Sequence, residues 1–439
     1  MRAAVVVLGD LGRSPRMQYH AHALASSGVE VDVIGYEGAP LPKLITDDAR
    51  VRVHRLVESR SRFRTRRSKL LYGAFATWDA MCSSLRLFLM LVRIPRPDLL
   101  LVQNPPSFPT LQVAWVAARV RRMRFVIDWH NLGYTILALR LGRGHLAVRL
   151  ARWLERYGGR VADAHLCVSR GFQRFLADRF KLPDVPGRPV KVLYDRPASA
   201  FAPIERLERE RIRQALFVRL GMRHPATVGF IVCSTSWTAD EDFDLVIEAV
   251  RYLEDRIRGW EAGNSTRRFP DLTILVTGDG ARRAEFERRF AGLPAHRVQL
   301  RTRWLDPEDY PRIVGSADLG LCLHRSSSGV DIPMKVVDLF GAGVPVFALD
   351  YGASLAERVR HGVNGRLFTN GRQLADLLFD LFETFPAESS ELDRLRTGAR
   401  RSARPTWEEG WVTEARPVLM PQPSPGGAAE ATEQTDNRR

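Results

Sequence analysis

Short runs of apolar residues alternate with helical patterns through the first half of the chain. Between the runs, apolar residues recur every three or four positions, as in residues 17–27 and 146–157, which predicts helices. Because the runs are short and almost wholly apolar, they predict buried strands of a parallel sheet with helices on both faces. The predicted strands are residues 5–8, 31–35, 51–56, 99–103, 125–128 and 164–168.

The same alternation begins again near residue 228. Helical patterns separate the runs of this second series, as in residues 243–252 and 334–340. We therefore predict two doubly wound α/β domains in tandem, with ligands at the carboxyl ends of the strands and between the domains. The second series of predicted strands is residues 228–233, 272–277, 298–301, 319–323 and 344–348.

A proline-rich joint at residues 181–202 separates the two series, and a charged helix is predicted at residues 204–220. The predicted domains are residues 1–190 and 191–385. Residues 386–415 are predicted to be helical and to cross back to the first domain. Residues 416–439, rich in Pro, Gly, Ala, Gln and Thr, are predicted to be disordered.

Composition narrows the class of protein. The chain has 439 residues, 45% of them hydrophobic, which suits two buried cores. Its formal net charge of +16 predicts an anionic partner such as nucleic acid, anionic lipid or a phosphorylated metabolite. Its four scattered cysteines indicate reduced core thiols, and no secretory signal precedes the first strand, so a cytoplasmic protein is expected.

Residues 326–338 (SSSGVDIPMKVVD) join a hydroxyl-rich loop to a helix that opens near Pro333. Free amides at a helix start attract anions, and Lys335 adds a charge one turn into the helix, so the pattern indicates a phosphate site. Asp338, one turn further on the same face, would accept hydrogen bonds from a ribose. The spacing alone fits an ordinary capped helix with a surface ion pair equally well.

Residues 9–16 (GDLGRSPR) follow the first strand and place glycines, arginines and a serine before a helix. This loop indicates a second anion site, although a plain turn is the alternative. The loop lacks the spacing of a dinucleotide fingerprint and of a P-loop, so neither an oxidoreductase nor an NTPase is supported.

Two further loops of the second domain have polar residues at strand ends. Residues 234–238 (STSWT) suit a diphosphate, whereas residues 240–242 (DED) are interpreted chiefly as a helix cap, with metal binding as the alternative. Gly278, Gly280 and Arg303 stand at other strand ends, where close backbone approach suits a nucleotide; turns and packing explain them equally well.

Residues 128–131 (DWHN) end a buried strand of the first domain. His130 there would serve as a general base oriented by Asp128, or would only hydrogen-bond a sugar hydroxyl or a backbone group. Gln103 and Asn104 end the neighbouring predicted strand and are expected at the same edge.

A basic segment at residues 60–69 leads into an aromatic and aliphatic stretch that ends at residue 94 and is too interrupted to span a bilayer. We interpret residues 60–94 as an amphipathic helix on an anionic membrane surface, with a core helix behind a basic loop as the alternative. The side chains expected in the headgroup region are Phe75, Trp78, Leu85, Phe88 and Leu89.

Together these motifs resemble the chitobiosyldiphosphodolichol β-mannosyltransferase family. The resemblance extends over nearly the whole folded chain. The strings that carry it are residues 5–20 (VVVLGDLGRSPRMQYH), 103–106 (QNPP), 126–131 (VIDWHN), 235–238 (TSWT), 241–243 (EDF), 316–320 (SADLG) and 326–338.

The resemblance implies a GT-B fold, in which two Rossmann-like domains face each other across a cleft. It also implies transfer of mannose from GDP-mannose to a lipid-diphosphate-linked chitobiose, with inversion to a β-1,4 bond and without a cofactor or metal. The candidate bases are His130, Asp128 and Asp10. The resemblance and the motifs above together give the expected donor-binding residues, which are Ser236, Thr238, Gly278, Gly280, Arg303, Ser326, Ser327, Ser328, Gly329, Lys335 and Asp338. In the same way, the expected acceptor-binding residues are Gly12, Arg13, Ser14, Arg16, Gln103 and Asn104.

One departure from the family concerns the membrane. Family members of the endoplasmic reticulum carry an amino-terminal anchor, whereas here the first strand is predicted near residue 3. We expect a protein peripheral to the cytosolic face of a membrane, attached through residues 60–94, with a dolichyl- or other polyprenyl-diphosphate glycan as acceptor. A UDP-sugar donor and a nucleic-acid-binding protein are the competing hypotheses, although no nucleic-acid motif is present.

Overall fold

The computed structural model describes residues 1–56, 69–222, 228–235, 237, 241–264, 266–280, 282–386 and 390–421, and it does not describe the side chains of residues 69–80 and 390. The chain divides into two compact units. One contains residues 1–168, 173–194 and the segment from 408 onward, and the other contains residues 169–172 and 195–407.

A seven-stranded parallel sheet forms the centre of the first unit, with the order β3-β2-β1-β4-β5-β6-β7. Residues 3–7 of its first strand in the chain are wholly buried, as expected for a strand covered on both faces. The strand order reverses between β1 and β4, which is where ligands bind in open α/β sheets. The strands are β1 (Arg2–Asp10), β2 (Glu30–Tyr36), β3 (Val51–Leu56), β4 (Leu99–Asn104), β5 (Arg124–Trp129), β6 (Ala164–Cys167) and β7 (Val190–Val192).

Helices connect these strands as the parallel arrangement requires. Short 3-10 and π turns add Leu11–Arg13 and Leu176–Phe180. The helices are α1 (Pro15–Ser26), α2 (Lys43–Thr46), α3 (Lys69–Arg93), α4 (Thr110–Arg121), α5 (Gly133–Leu141), α6 (Leu146–Val161) and α7 (Arg170–Phe175).

The second unit has a six-stranded parallel sheet with the order β10-β9-β8-β11-β12-β13. Its strand order reverses between β8 and β11, so the expected ligand position is again the carboxyl ends of the central strands. Apolar clusters cover both faces of this sheet. The strands are β8 (Gly229–Ser234), β9 (Leu272–Thr277), β10 (Val298–Arg303), β11 (Leu319–Cys322), β12 (Val346–Leu349) and β13 (Gly365–Phe368).

The remaining helices follow in chain order, with a π turn at Trp411–Ala415 between the last two. They are α8 (Arg206–Arg219), α9 (Asp244–Gly263), α10 (Arg283–Ala291), α11 (Tyr310–Ser316), α12 (Met334–Gly341), α13 (Ala353–Ala356), α14 (Gly371–Phe382), α15 (Ser390–Ser402), α16 (Trp407–Gly410) and α17 (Arg416–Leu419).

The structure differs from the predicted elements in three places. Strand β7 lies inside the predicted joint, and β13 was not predicted; both are short and only partly buried, so their apolar signal is weak. The prediction that disorder begins near residue 416 is wrong for its first residues, because α17 buries Val418 and Leu419. Residues 422–439 lie outside the described residues.

Three cysteines, Cys167, Cys233 and Cys322, are buried and Cys82 is partly exposed, and none of these four forms a disulfide. In the part of the chain that the structure describes, every helix is too short or too polar to cross a membrane.

Candidate active site

Polar side chains of the first unit converge where β1, β4 and β5 end. Asp128, the fifth residue of β5, is wholly buried at this point. Arg16 of α1 meets it through two parallel bonds, from Nε to Oδ2 at 2.7 Å and from the second guanidinium nitrogen to Oδ1 at 2.8 Å. A third donor of Arg16 bonds the carbonyl of Leu193 at 2.6 Å. This two-point pairing fixes the carboxylate in position.

Two histidines complete the shell around Asp128. Nε2 of His20 lies 3.2 Å from Oδ2, and Nε2 of His130 lies 2.9 Å from the same oxygen. Burial by itself would raise the pKa of Asp128, but Arg16 and His130 outweigh it and hold that pKa well below its usual range. Asp128 is therefore a carboxylate that accepts hydrogen bonds from every neighbour.

The tautomer of His20 follows from its two partners. Trp411 Nε1 can only donate, and it lies 3.0 Å from His20 Nδ1, so Nδ1 carries the lone pair. Nε2 must then carry the proton that Asp128 accepts. Burial lowers the pKa of His20, which keeps the ring neutral in this arrangement. Trp411, from the carboxyl-terminal segment, is thus part of the site.

His130 is the partly exposed member of the network, with 23% of its side chain accessible. Because ionised Asp128 only accepts, His130 Nε2 carries the proton and Nδ1 holds the lone pair. Among the described residues, none forms a hydrogen bond to Nδ1. The structure thus brings His130 and Asp128 together with one ring nitrogen available to take up a proton.

The geometry corrects two expectations for this cluster. Asp128 is a poor general base, because four hydrogen bonds stabilise its charged form. Arg16 is not a free contact for an acceptor diphosphate, because it is buried and its guanidinium is bound to Asp128 and Leu193.

The loop after β1 is organised by Asp10. Its carboxylate accepts from the amides of Gly12 at 2.9 Å and Ala39 at 3.0 Å, and it lies 3.4 Å from Nε of Arg13. The Asp10 carboxylate therefore holds this loop in shape, and its role as a base stays a prediction.

The acceptor-binding residues expected in this loop have different surroundings. Gly12 packs against the backbone of Ala39 with no room for a side chain. Ser14 donates to the carbonyl of Asp10 at 3.0 Å, and Arg13 is largely exposed. Of this group, only Arg13 presents an open charge.

The end of β4 has a structural role that the sequence did not reveal. Asn104 is wholly buried and donates to Glu155 Oε1 at 2.7 Å and to the carbonyl of Asn131 at 2.9 Å, which corrects its assignment to acceptor binding. Glu155 also accepts from the amides of Gly133 at 2.9 Å and Tyr134 at 3.1 Å. Burial raises the pKa of Glu155. Gln103 donates to the carbonyl of Pro105 at 3.2 Å.

In the second unit, the serine loop after β11 is built around Asp331. Ser326 and Ser328 both donate to its carboxylate, and the Gly329 amide donates back to Ser326 Oγ at 2.7 Å. Gly329 has a φ of +75°, which favours glycine there. Ser327 lies in the same turn.

Lys335 lies in the first turn of α12 and is paired with Glu241. Thr235, just beyond β8, donates to the same carboxylate. Burial alone would lower the pKa of Lys335, but Glu241 outweighs it and raises that pKa. The interpretation of residues 240–242 as a cap is wrong for two of its residues, because neither Glu241 nor Asp242 caps α9. Glu241 is buried, Asp242 accepts from Arg325 at 3.0 Å, and Asp240 lies outside the described residues.

Asp338 lies one turn beyond Lys335, as expected. It is only partly exposed, and no hydrogen bond or ion pair reaches its carboxylate from the described residues. Burial, and then the charge of Asp195, raise the pKa of Asp338 to about 7. Nearby, Tyr310 donates to Ser234 at 2.8 Å, and burial raises the pKa of Tyr310 to about 12.

The other expected donor residues lie at the carboxyl ends of their strands. Gly278 follows β9 with a φ of +130° and packs against the backbone of Thr235, where a side chain would not fit. Arg303 ends β10, next to Thr277 in register, and is exposed. Gly280 is in the loop after β9. Ser236 and Thr238 lie outside the described residues.

Sequence reasoning missed His20, Trp411, Glu155, Glu241 and Asp331 as members of these clusters. His20 carried a readable signal, because it is four residues from Arg16 and hence on the same face of α1. Asp331 lies inside the 326–338 motif, three and five residues from the serines that it bonds. Contacts distant in sequence bring the other three to the sites, as with Trp411 and His20.

Two family models match the chain. One, described as "Glycosyl transferase 4-like domain", matches residues 12–194, and the other, "Glycosyl transferases group 1", matches residues 229–384. The first range contains strands β2 to β7, and the second contains strands β8 to β13.

Several known proteins are similar to this chain over almost its whole length. The Arabidopsis thaliana protein named UDP-glycosyltransferase TURAN is 38% identical, covering 95% of this chain and 97% of that protein. Chitobiosyldiphosphodolichol beta-mannosyltransferase of Yarrowia lipolytica is 38% identical over 95% of this chain and 86% of its own length. The Homo sapiens protein of the same name is 35% identical, covering 94% of this chain and 92% of its own length.

Solved structures share the fold at low identity. Sucrose-phosphate synthase from Thermosynechococcus elongatus superimposes with a TM-score of 0.65 at 15% identity, covering 94% of this chain and 97% of that one. Trehalose 6-phosphate synthase from Burkholderia multivorans gives a TM-score of 0.60 at 13% identity, covering 95% and 98%. The fold is the predicted GT-B α/β class, and this chain is a glycosyltransferase that belongs to the chitobiosyldiphosphodolichol β-mannosyltransferase family.

Proposed function

We propose that this protein transfers mannose from GDP-mannose to a polyprenyl-diphosphate-linked chitobiose, inverting the anomeric carbon to form a β-1,4 bond. The observation that carries the proposal is the family relationship, because relatives with the corresponding name are 32–38% identical over 93–96% of this chain. The polar clusters at the carboxyl ends of the two sheets supply the chemistry for it.

His130 is the proposed general base. Its Nδ1 would take the proton of the acceptor 4-hydroxyl as that oxygen forms its bond to the mannose anomeric carbon. Asp128 would stabilise the imidazolium through Nε2, where the two side chains are 2.9 Å apart. Arg16 and His20 hold the carboxylate in place but do not touch the substrate.

Lys335 and the amides at the start of α12 are proposed to bind the GDP diphosphate. As the bond from the anomeric carbon to the phosphate oxygen breaks, the leaving group gains negative charge, which a cation and aligned amides stabilise. Glu241 pairs with Lys335 and fixes the ammonium group in position. The Ser326–Ser328 hydroxyls, now bonded to Asp331, would keep the loop in shape around the phosphate.

Asp338 is proposed to accept hydrogen bonds from the ribose hydroxyls. It has no hydrogen-bond partner among the described residues, and a diol would supply two donors to the carboxylate. Arg13, which is exposed, is proposed to meet the acceptor diphosphate.

The decisive experiment is transfer in vitro. Purified protein is incubated with GDP-mannose and phytanyl-diphosphate chitobiose, and the product linkage is read by NMR. We expect a β-1,4-linked mannose, and the His130→Ala variant should lose about 10²–10⁴-fold in kcat with GDP binding almost unchanged. Loss confined to the acceptor KM would assign His130 to binding instead. No transfer to any prenyl-diphosphate sugar would refute the proposal.

A UDP-sugar is the second candidate donor, because the Arabidopsis relative is named a UDP-glycosyltransferase. Thermal shifts with GDP and UDP separate the two donors, since only the nucleotide that binds the folded protein raises its Tm. We expect stabilisation by GDP.

We also propose that the protein works at the cytosolic face of a membrane, because its acceptor would be lipid-linked. The expected attachment through residues 60–94 is described only in part. Within that part, Leu85 and Leu89 of α3 are exposed and Phe88 is half-buried. Residues 60–68 and the side chains of Phe75 and Trp78 lie outside the described part.

A further inference from the structure

Helix α5 is apolar and yet buries none of its residues. Its nine residues, GYTILALRL, include Ile136, Leu139 and Leu141, and all three are exposed. An apolar helix that is exposed on a folded protein marks an interaction surface, because a contiguous apolar patch in contact with water is unfavourable.

The neighbouring helix α6 extends this apolar surface. Its outward stripe consists of Leu146, Leu150, Trp153 and Tyr157, whose exposed fractions are 74%, 57%, 59% and 40%. These residues follow the spacing that places them on one face of a helix. The indole and phenol rings of Trp153 and Tyr157 stack with centroids 5.9 Å apart.

The opposite face of α6 is the one that packs on the unit. It buries Val148, Glu155, Gly158 and Gly159, and the Leu111 side chain of α4 leaves no room for a side chain at Gly158. The usual amphipathic arrangement is therefore reversed, with small and charged residues inside and large apolar residues outside.

Arginines line one side of this apolar stripe. Arg149, Arg152, Arg156 and Arg160 follow one another at three- or four-residue spacing, so they lie along one flank of the helix. Arg152 also lies over the Tyr134 ring of α5, with 5.8 Å to the ring centroid. Apolar residues beside a row of cations, with Trp and Tyr among them, are typical of a helix that lies in an anionic lipid interface.

We propose that the hairpin formed by α5 and α6 (the α5–α6 hairpin, residues 133–161) docks this protein onto an anionic lipid bilayer. Leu146, Leu150 and Trp153 would enter the headgroup region, and the exposed Arg149 and Arg152 beside them would meet lipid phosphates. Arg156 and Arg160 each donate from Nε to the carbonyl of Phe180. The residues of the α5–α6 hairpin are different from residues 60–94, where attachment is expected from the sequence.

The base of the hairpin is joined to the proposed catalytic histidine. Glu155 of α6 bonds the first two amides of α5 and the side chain of Asn104, and the Asn104 carbonyl accepts from the His130 amide at 2.8 Å. Docking of the hairpin would hold His130 at a fixed height above the lipid, which suits the proposed lipid-linked acceptor. Only this link to catalysis rests on the proposed function.

Vesicle binding by the full chain tests the proposal. Sedimentation is measured with phosphatidylcholine vesicles that contain or lack phosphatidylserine, for the wild type and for a Leu150→Ser, Trp153→Ser double variant. We expect binding to the anionic vesicles and a loss of about tenfold or more in the double variant, because two apolar side chains no longer enter the interface. Changing Arg149 and Arg152 to Gln should reduce the salt-sensitive part of binding.

Matched controls keep the test specific. The control variant combines Leu207→Ser and Val218→Ser in α8 of the second unit, where each of the two apolar side chains is 71% exposed. It should leave vesicle binding unchanged. Thermal unfolding shows whether each variant is folded. If the α6 double variant does not fold, the Trp153→Tyr variant takes its place. Brominated lipid should quench part of the tryptophan fluorescence of the wild type, and this part should be lost in Trp153→Tyr.

Three outcomes would overturn the proposal. One is vesicle binding by the α6 variant equal to that of the α8 control. Another is an α6 variant that binds vesicles like the wild type and still uses short-chain acceptors, but no longer transfers to prenyl-linked acceptors. The hairpin would then bind the acceptor lipid rather than the bilayer. The third is a wild-type protein that is dimeric in solution, with an α6 variant that is monomeric. Since binding is measured without substrates, failure of the proposed transferase activity would not affect the result.

Discussion

The carboxylate at the centre of the first unit's site is fully paired, whereas the carboxylate expected to meet the nucleotide in the second unit is not. Asp128 accepts from Arg16 and from two histidines, and its pKa is held well below the usual range. Asp338 has no hydrogen bond from the described residues, and its pKa is raised to about 7. The first site is arranged before any substrate binds; the second contains an acid whose charge a ligand would stabilise.

This difference matches the two proposed tasks. A general base has to be oriented precisely, and a buried ion pair with several hydrogen bonds provides a fixed geometry. A carboxylate binds a ligand more tightly when no protein group donates a hydrogen bond to it, because the ligand then supplies those donors. The predictions below test each side of this comparison.

Removing the charge of Asp128 should have the largest effect. Asp128→Asn removes the carboxylate that pairs at two points with the buried Arg16 guanidinium, so we expect a loss of about 3–5 kcal/mol in the free energy of unfolding, measured by urea titration at pH 7. Because its pKa is depressed in the folded state, the contribution of Asp128 is present above about pH 4 and is lost as pH falls further, so the variant and wild type should converge in acid.

The matched control for this prediction is Asp242→Asn. Its partner Arg325 is exposed and lies 3.0 Å away, so the loss should be below about 1 kcal/mol. Equal losses in the two variants would mean that the buried network does not stabilise the first unit.

Removing Lys335 should affect the reaction more than the fold. Lys335→Ala is expected to lower kcat/KM for the donor by about 10²–10³-fold, because no lysine would then stabilise the negative charge that develops on the departing diphosphate. Lys43→Ala, which removes an exposed lysine from α2, should leave the kinetics unchanged. Wild-type kinetics in Lys335→Ala would contradict the proposed role.

The pairing of Lys335 with Glu241 adds a stability test. Lys335→Ala removes the ammonium group that pairs with the buried Glu241 carboxylate, which should destabilise the variant. Adding Glu241→Gln should restore part of that stability without restoring transfer. A double-mutant cycle on unfolding free energies measures the coupling between the two side chains.

Asp338 should make stability and nucleotide binding depend on pH. Its pKa rises from the ordinary aspartate value of 3.8 to about 7 in the folded protein, so the folded state binds more protons than the unfolded chain between those values. Stability should therefore fall as pH rises from about 4 to 7 and stay level above it. Asp338→Asn should remove this slope and gain about 1–4 kcal/mol at pH 8, towards the lower end because solvent screens a partly exposed group.

The same group should link GDP binding to proton release. If the ionised carboxylate accepts from the ribose, GDP affinity should rise up to about tenfold between pH 6 and 8, and calorimetry in buffers of different ionisation enthalpy should detect the released proton. Asp338→Asn should bind GDP more weakly and without this pH dependence. An unchanged pH profile in the variant would remove Asp338 from the nucleotide site.

The contrast between the two units also shows what the sequence can predict. Strands such as β1 and β9 were predicted because they are buried on both faces and hence read as continuous apolar runs. Residues at the ends of those strands, such as His130 and Gly278, were placed correctly at the sheet edge for the same reason. Three-residue β7, with one buried residue, has no such signal.

Side-chain partners were not predictable in this way. Whether Arg16 faces a ligand or a buried acid depends on the packing of α1 against β5, which spacing along α1 does not determine. In α6, periodicity identifies the helix but the usual rule would bury Trp153 rather than Glu155, because the rule assumes that the apolar face meets the core. Both cases depend on tertiary contacts.

Trp411 tests whether the network around Asp128 needs its outermost member. Trp411→Phe keeps most of the buried ring but removes the donor to His20 Nδ1, so we expect a loss of about 1–2 kcal/mol in unfolding free energy and a modest fall in kcat. The fall should appear in kcat rather than in the donor KM, because the second unit's site is unchanged. Trp153→Phe, on the surface of α6, is the matched control and should leave stability intact. If His20 keeps its tautomer through Asp128 alone, kcat and its pH profile will stay at wild-type values, and Trp411 will be a packing residue only.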